Sequence, residues 1–188
     1  MLDISSEESV AQLGNQVSDV DHVVVCCGAS QFGALQTFTM ESWSSQINSK
    51  LLAVTKLVIG LANQEGSLSG VLRDNGSITV TAGQASRTLN KMWPGIATNN
   101  AALEAFVKNA GLQMPRGIRL NAVSPALITE TAEKAGLPTA GTVPATEVAA
   151  AYIPLLFGDA TAQVVDAGGQ VAFQQSHHAG MSDKPKPE

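Results

Sequence analysis

The apolar positions along this chain switch between two periods. Residues 20–27 form an almost continuous apolar run, the pattern of a strand buried on both faces. Ile78, Thr79, Val80 and Thr81 make a second β-branched run introduced by Asn75-Gly76, and residues 118–123 make a third introduced by Pro115-Arg116-Gly117. Residues 164–166 read as a last short strand and Leu2-Asp3-Ile4 as the end of another. Between these runs the spacing becomes three and four. Val10, Leu13 and Val17 follow a Ser5/Glu8 capping box, and Trp43, Ile47, Leu51, Val54, Val58 and Leu61 follow Thr39 as a cap, predicting a helix of about five turns. Further helices are expected over 97–111 and 145–156, with polar or Gly/Pro-containing loops at 63–75 and 130–144.

Strand, helix and strand thus succeed one another, most clearly over residues 76–131. Such a unit requires parallel strands with a crossover helix, and parallel strands of this kind build a doubly wound α/β sheet whose ligand crevice lies at their carboxyl ends. The chain is long enough, at 188 residues with 44% apolar, for one domain with its own core, here residues 1–170. Residues 171–188 turn polar and have the composition of a disordered tail.

Charge and chemistry narrow the classes further. A net charge of -5 and only 4% aromatic residues leave neither the basic face nor the stacking surface that a nucleic-acid partner needs. No apolar stretch reaches a membrane span and no signal peptide opens the chain, so no membrane partner and a cytoplasmic location are expected. Cys26 and Cys27 are expected as buried thiols, since no third Cys or suitably spaced His accompanies them. His177-His178 is expected as a solvated pair near the terminus, leaving no metal site.

Several segments then carry a resemblance. Gly117-Ile118-Arg119-Leu120-Asn121-Ala122-Val123-Ser124-Pro125, followed by Ala126-Leu127-Ile128, resembles a motif of the short-chain dehydrogenase/reductase family. Residues 21–28 stand where that family has an Asn-Asn-Ala-Gly segment, and Gln163-Val164-Val165-Asp166-Ala167-Gly168-Gly169 resembles its closing strand. Asn48-Ser49-Lys50 and Ala101-Ala102-Leu103-Glu104-Ala105-Phe106-Val107 are similar to a divergent subgroup of small bacterial members. The resemblance implies a Rossmann-like fold and NAD or NADP as cofactor. By position it makes Asp3, Gly28, Pro125, Ala126 and Ile128 the cofactor-contacting candidates.

Two departures qualify what the resemblance implies. Neither G-x-G-x-x-G nor G-x-x-x-G-x-G occurs in the 188 residues, and Gly66-Ser67-Leu68-Ser69-Gly70 lies in a polar loop before no phosphate-facing helix. The sheet is therefore expected to lack the family's first βαβ unit, leaving residues 20–27 as an open apolar edge. Moreover, the family's catalytic Ser, Tyr, Lys and Asn positions fall on Gly83, Ile96, Asn100 and Lys50, and the single Tyr152 is followed four residues later by Leu156. No catalytic residue is assigned on this basis, and Lys50 is the one of the four able to supply a proton or a charge.

Three functions follow. The first is a non-catalytic family member with a binding or assembly role, oligomeric through helices 42–62 and 97–111 or complemented by another chain at strand 20–27. Ala101, Ala102, Ala105 and Ala110 either allow such helix contacts or pack on their own sheet. The second is an NAD(P)-dependent oxidoreductase whose cofactor-binding N-terminal segment is missing from this chain. The third is a pocket protein working without nicotinamide, lined by residues 83–94 and 130–144, including Arg87, Trp93 and Glu130.

Overall fold

The computed structural model describes residues 2–63 and 65–169. Four strands, β1 (Val20–Val25), β2 (Leu72–Thr81), β3 (Arg119–Pro125) and β4 (Val164–Ala167), form one sheet in the order β1-β2-β3-β4. Every pairing is parallel, with Val23 beside Ile78, Ile78 beside Leu120 and Val123 beside Val165. This is the doubly wound α/β architecture that the alternating periods predict.

The sheet separates two apolar clusters. On one face Ile78, Val80, Leu120 and Ala122 meet Val54, Leu57, Val58 and Leu61 of helix α3 (Ala53–Ala62) and Leu103 and Val107 of helix α4 (Pro94–Ala110). On the other, Val123 meets Val148, Tyr152 and Leu155, from the short helices α6 (Ala145–Ala150) and α7 (Ile153–Phe157) and the turn between them. Residues alternate across a strand, so Leu120 and Val123 serve opposite cores.

The family-like segment of β3 owes its residues to this packing. Arg119 donates to the Leu155 and Leu156 carbonyls at 2.9 and 3.0 Å, satisfying acceptors that the last turn of α7 leaves open. Asn121 donates to the Ala160 carbonyl at 2.7 Å and accepts from the Gln163 amide at 3.0 Å, pinning the approach to β4. Arg116, which has φ +62°, donates to the carbonyls of Leu61 and Leu72 and to the Asp74 carboxylate. One side chain so ties the end of α3 to the start of β2.

Helix α1 (Glu7–Gln16) is capped by Ser6, whose oxygen accepts from the Ser9 amide, rather than by Ser5. Ser5 is engaged elsewhere: its amide and hydroxyl both donate to Asp3 Oδ1, closing a turn where the end of a strand is expected. Thr39 caps α2 (Met40–Gln46) as the sequence predicts. The expected long helix does run to Ala62, but residues Ile47–Leu52 form a π-helical segment between α2 and α3. A side chain inserted into a helical ladder produces such a break. Here Asn99 of α4 donates to the Gln46 carbonyl at 3.2 Å. Gly95 permits the approach, because a Cβ there would collide with the Gln46 side chain.

Other expectations give way to tertiary context. β2 starts at Leu72, four residues before Gly76, and its pairing with β1 shifts register between Val20 and His22. Residues Thr129–Lys134 are a helix, α5, rather than loop, and the single helix over 145–156 is two short ones. In β1 only Val25 is buried, and Cys26 and Cys27 are exposed. β1 has a neighbour on one side only among the described residues, so continuous apolarity does not amount to burial. The tail at 171–188 and His177-His178 lie outside the described residues.

Candidate functional site

At the carboxyl ends of the strands lies a cavity of about 480 Å³. Its walls come from the turn after β1 (Gly28, Phe32), the π-helical segment (Lys50), the segment after β2 (Gly83, Gln84, Thr88), and α4 with the residue before it (Trp93, Ile96, Asn100). Pro125, Ala126, Leu127 and Ile128 after β3 and residues 140–142 complete it. All four positions set against the family's catalytic groups, Lys50, Gly83, Ile96 and Asn100, therefore converge, as do Gly28, Pro125, Ala126 and Ile128. Asp3 does not line this cavity; it is exposed, and its Oδ1 accepts from the amide and hydroxyl of Ser5.

Lys50 is the one charged residue in the described lining. The π segment places it there, and Gly28 makes room: a Cβ on Gly28 would stand 2.9 Å from Lys50 Cγ. Ser49 fixes the same contact by donating to the Ala29 carbonyl at 3.1 Å. Burial alone lowers the Lys50 pKa from 10.5 to about 8. Between these values the unfolded chain binds more protons than the folded one, so stability rises with pH there and the cost of the buried charge is fully present below about 8. Lys50→Met is expected to stabilise the fold by about 2 kcal/mol near neutral pH. The gain should shrink as pH rises towards 10.5, as urea denaturation across that range will measure.

Asn100 faces Gly83 across the cavity wall. It is buried, its Oδ1 has no hydrogen-bond partner, and a Cβ on Gly83 would lie 2.7 Å from its Nδ2. A serine at this position would thus have to displace the amide. Tyr152 is outside the lining but one hydrogen bond behind it, its hydroxyl 2.6 Å from Thr81 Oγ1. Burial pushes the Tyr152 phenol up, away from the range of a ready acid.

Of the remaining pocket candidates, Trp93 lines the cavity while Arg87 and Glu130 do not. Glu130 accepts from the Ala145 amide at the start of α6. Arg87 donates to both Asp166 oxygens, to Glu104 and to Ser124. Glu104 is buried and also accepts from Ser86 and Ser124 at 2.9 and 2.7 Å. This network joins the segment after β2, α4, β3 and β4 just outside the cavity. Removing one partner of a buried charge is costly, so Arg87→Ala is expected to lose about 2 kcal/mol. Arg87→Lys should recover only part of it, lacking the planar fork, as thermal unfolding of both variants will report.

A parallel, doubly wound sheet with a strand-end cavity defines the Rossmann-like class. The chain belongs to the short-chain dehydrogenase/reductase family: residues 1–178 match the family model described as enoyl-(acyl carrier protein) reductase. It is 32% identical over 119 residues to the vibriobactin-specific 2,3-dihydro-2,3-dihydroxybenzoate dehydrogenase of Vibrio cholerae, a match covering 63% of this chain and 44% of that protein. The match therefore spans less than half the length of that relative. Among solved structures, protein lin1944 from Listeria innocua is similar at TM-score 0.77 and 32% identity, over 88% of this chain and 80% of that one. A small-chain dehydrogenase in complex with NADPH is similar at TM-score 0.75 and 26% identity, over 89% and 80%. No described helix is long and apolar enough to cross a membrane.

Proposed function

We propose that this chain acts as a binding or assembly member of the family, keeping the strand-end crevice as a ligand pocket without carrying out hydride transfer by itself. One observation carries the reading. The positions that would hold the family's Ser, Tyr and Lys are Gly83, Ile96 and Asn100, gathered on one cavity wall. Reduction of a carbonyl produces an alkoxide that must receive a proton in place, and none of these three side chains delivers one, which leaves Lys50, outside the Ser/Tyr/Lys positions, as the one titratable group of the described lining. Phe32, Trp93, Ile96 and Leu127 suit instead a small, largely apolar ligand.

The described residues do not fit a whole dinucleotide. Pro125, Ala126 and Ile128 offer a wall for a nicotinamide ring. At the other end, Asp3 stands outside the cavity, and the space at Gly28 is filled by the Lys50 stem. An NAD(P)-dependent oxidoreductase, with its pyrophosphate site supplied from outside the described residues, is the second reading, and the retained wall at 125–128 is what favours it. Titration with NADPH, NADH and a hydrophobic fluorophore separates the two, with Trp93→Phe as the control for quenching in the cavity. The expected result is saturable binding of the fluorophore and no nucleotide oxidation with any carbonyl compound; NADPH turnover by this chain would overturn the first reading.

The assembly side of the proposal rests on exposed apolar surface. Val24 on β1 is 43% exposed beside an apolar groove of about 290 Å³. Ala101 and Ala105 of α4 are exposed, whereas Ala102 is half-buried and Ala110 packs against the core of this chain, and Leu52 and Ile59 are exposed within helices 42–62. An oligomer through helices 42–62 and 97–111, or a complementing chain at strand 20–27, would cover these surfaces. Light scattering at micromolar concentration is expected to show more than a monomer.

A further inference from the structure

We propose that Lys50 is an imine-forming amine, and that the cavity's ligand is an apolar aldehyde held through a reversible covalent bond to Lys50 Nζ. The inference deepens the ligand-pocket reading above and rests on it. Three observations bear on the site, the first being that Lys50 is the one charged group of the described lining, in an otherwise apolar or neutral wall. Among the described residues no carboxylate pairs with it: the ion pairs are those of Lys56, Arg73, Arg87 and Arg116. Lys50 is half-buried, and at the cavity it has neither an acid to neutralise it nor full exposure to water.

The second observation is the construction around the stem. Gly28 has φ +117° and leaves the space that the Lys50 Cβ and Cγ occupy, while Ser49 anchors the π segment to the Ala29 carbonyl. A backbone conformation open to glycine, and a π turn that sets Lys50 against it, together place this one side chain in the cavity wall. The third is Asn100, in the same wall, whose buried Oδ1 has no partner. It is an acceptor suited to the hydroxyl of a carbinolamine.

The chemistry balances without an oxidant or reductant. The lone pair of the neutral amine attacks the carbonyl carbon; a C–N bond forms, and the former carbonyl oxygen takes one proton from nitrogen to give the carbinolamine. That hydroxyl then leaves as water with the second amine proton, giving the C=N bond. Water reverses both steps. Desolvation favours the neutral amine, and its pKa of about 8 leaves a useful fraction unprotonated near neutral pH. No acidic or basic side chain other than Lys50 is in the described lining, so its ionisation follows burial.

The test uses the full chain with hexanal as probe, 1-hexanol as its non-electrophilic counterpart, and cyanoborohydride to trap any imine for peptide mapping. We expect trapping at Lys50 at least ~10-fold faster than at Lys56 or the other lysines, the advantage expected of a desolvated amine. With trapping carried out at one fixed pH after incubation with hexanal, the rate of amine addition over the incubation pH should rise and level off above about 8. Lys50→Met should abolish the trapped adduct while 1-hexanol still shifts the emission of Trp93, which keeps a folding defect apart from a lost amine. Asn100→Ala should slow trapping without weakening 1-hexanol binding. Equal labelling of all lysines, with 1-hexanol still bound, overturns the imine and leaves the pocket reading intact. Failure of both probes to affect Trp93 overturns both.

Discussion

Arg116→Ala is expected to be among the most damaging single substitutions in this chain, lowering stability by about 3–5 kcal/mol. The guanidinium is largely buried, with 12% side-chain exposure, and it serves three acceptors from two elements. The Leu61 carbonyl belongs to the last turn of α3, which has no intrahelical donor for it. Leu72 and Asp74 stand where β2 begins, ahead of the left-handed residue Asn75. Alanine would strand both carbonyls away from solvent. Lysine at 116 would restore one contact at a time, so Arg116→Lys should lie between the two. For a chain of this size the alanine variant should melt roughly 10 °C lower, with loss of cooperativity between α3 and β2 as the accompanying sign in hydrogen exchange.

Gly28→Ala is expected to cost about 3 kcal/mol from two independent sources. At φ +117° any L side chain is strained. The new Cβ would also lie 2.9 to 3.1 Å from Lys50 Cγ, Cβ and Cα, and the last of these is backbone of the π segment. Gly136 supplies the comparison, having φ +65° and nothing within 4 Å of the added carbon. Gly136→Ala should therefore cost only about 1 kcal/mol. Equal losses in the two variants, measured by urea denaturation, would mean that the contact with Lys50 is easily relieved.

The four strands and the packed faces of α3 and α4 were legible because burial and periodicity agree there: Ile78, Val80, Leu103 and Leu120 are fully buried. Burial of residues 20–27 was not, because a strand's own apolarity does not say how many neighbours it has. Cys26 and Cys27 are exposed for that reason. The π turn left no mark either. Ile47, Leu51 and Val54 keep spacings of four and three whether the ladder closes at the fourth or the fifth residue, and its cause, Asn99, lies 53 positions from Gln46.

The crevice was visible only through the resemblance. Lys50, Gly83, Ile96 and Asn100 share no local pattern, and the topology brings them together. Asp3 looked like a strand-end carboxylate, yet its nearest polar neighbours are two residues away in sequence, and a turn suits them better than a strand. Glu104 is the residue that sequence reading passed over: it sits in a helix of ordinary composition, and its burial with Arg87, Ser86 and Ser124 becomes apparent only once the strands are placed.

The π segment separates two halves of one helix in phase. α2 answers to α4 through Gln46 and Asn99, whereas α3 answers to the sheet through Val54, Val58 and Leu61. One extra residue between them offsets the second half by roughly 100° relative to an unbroken helix, the angle that a single residue adds. Removing one residue from Ile47–Leu52 would let the ladder close normally, and α2 and α3 could no longer both keep their present partners. The length of this turn therefore sets the bearing of Lys50, and shortening it would aim the amine elsewhere even where α3 keeps its contacts with the sheet.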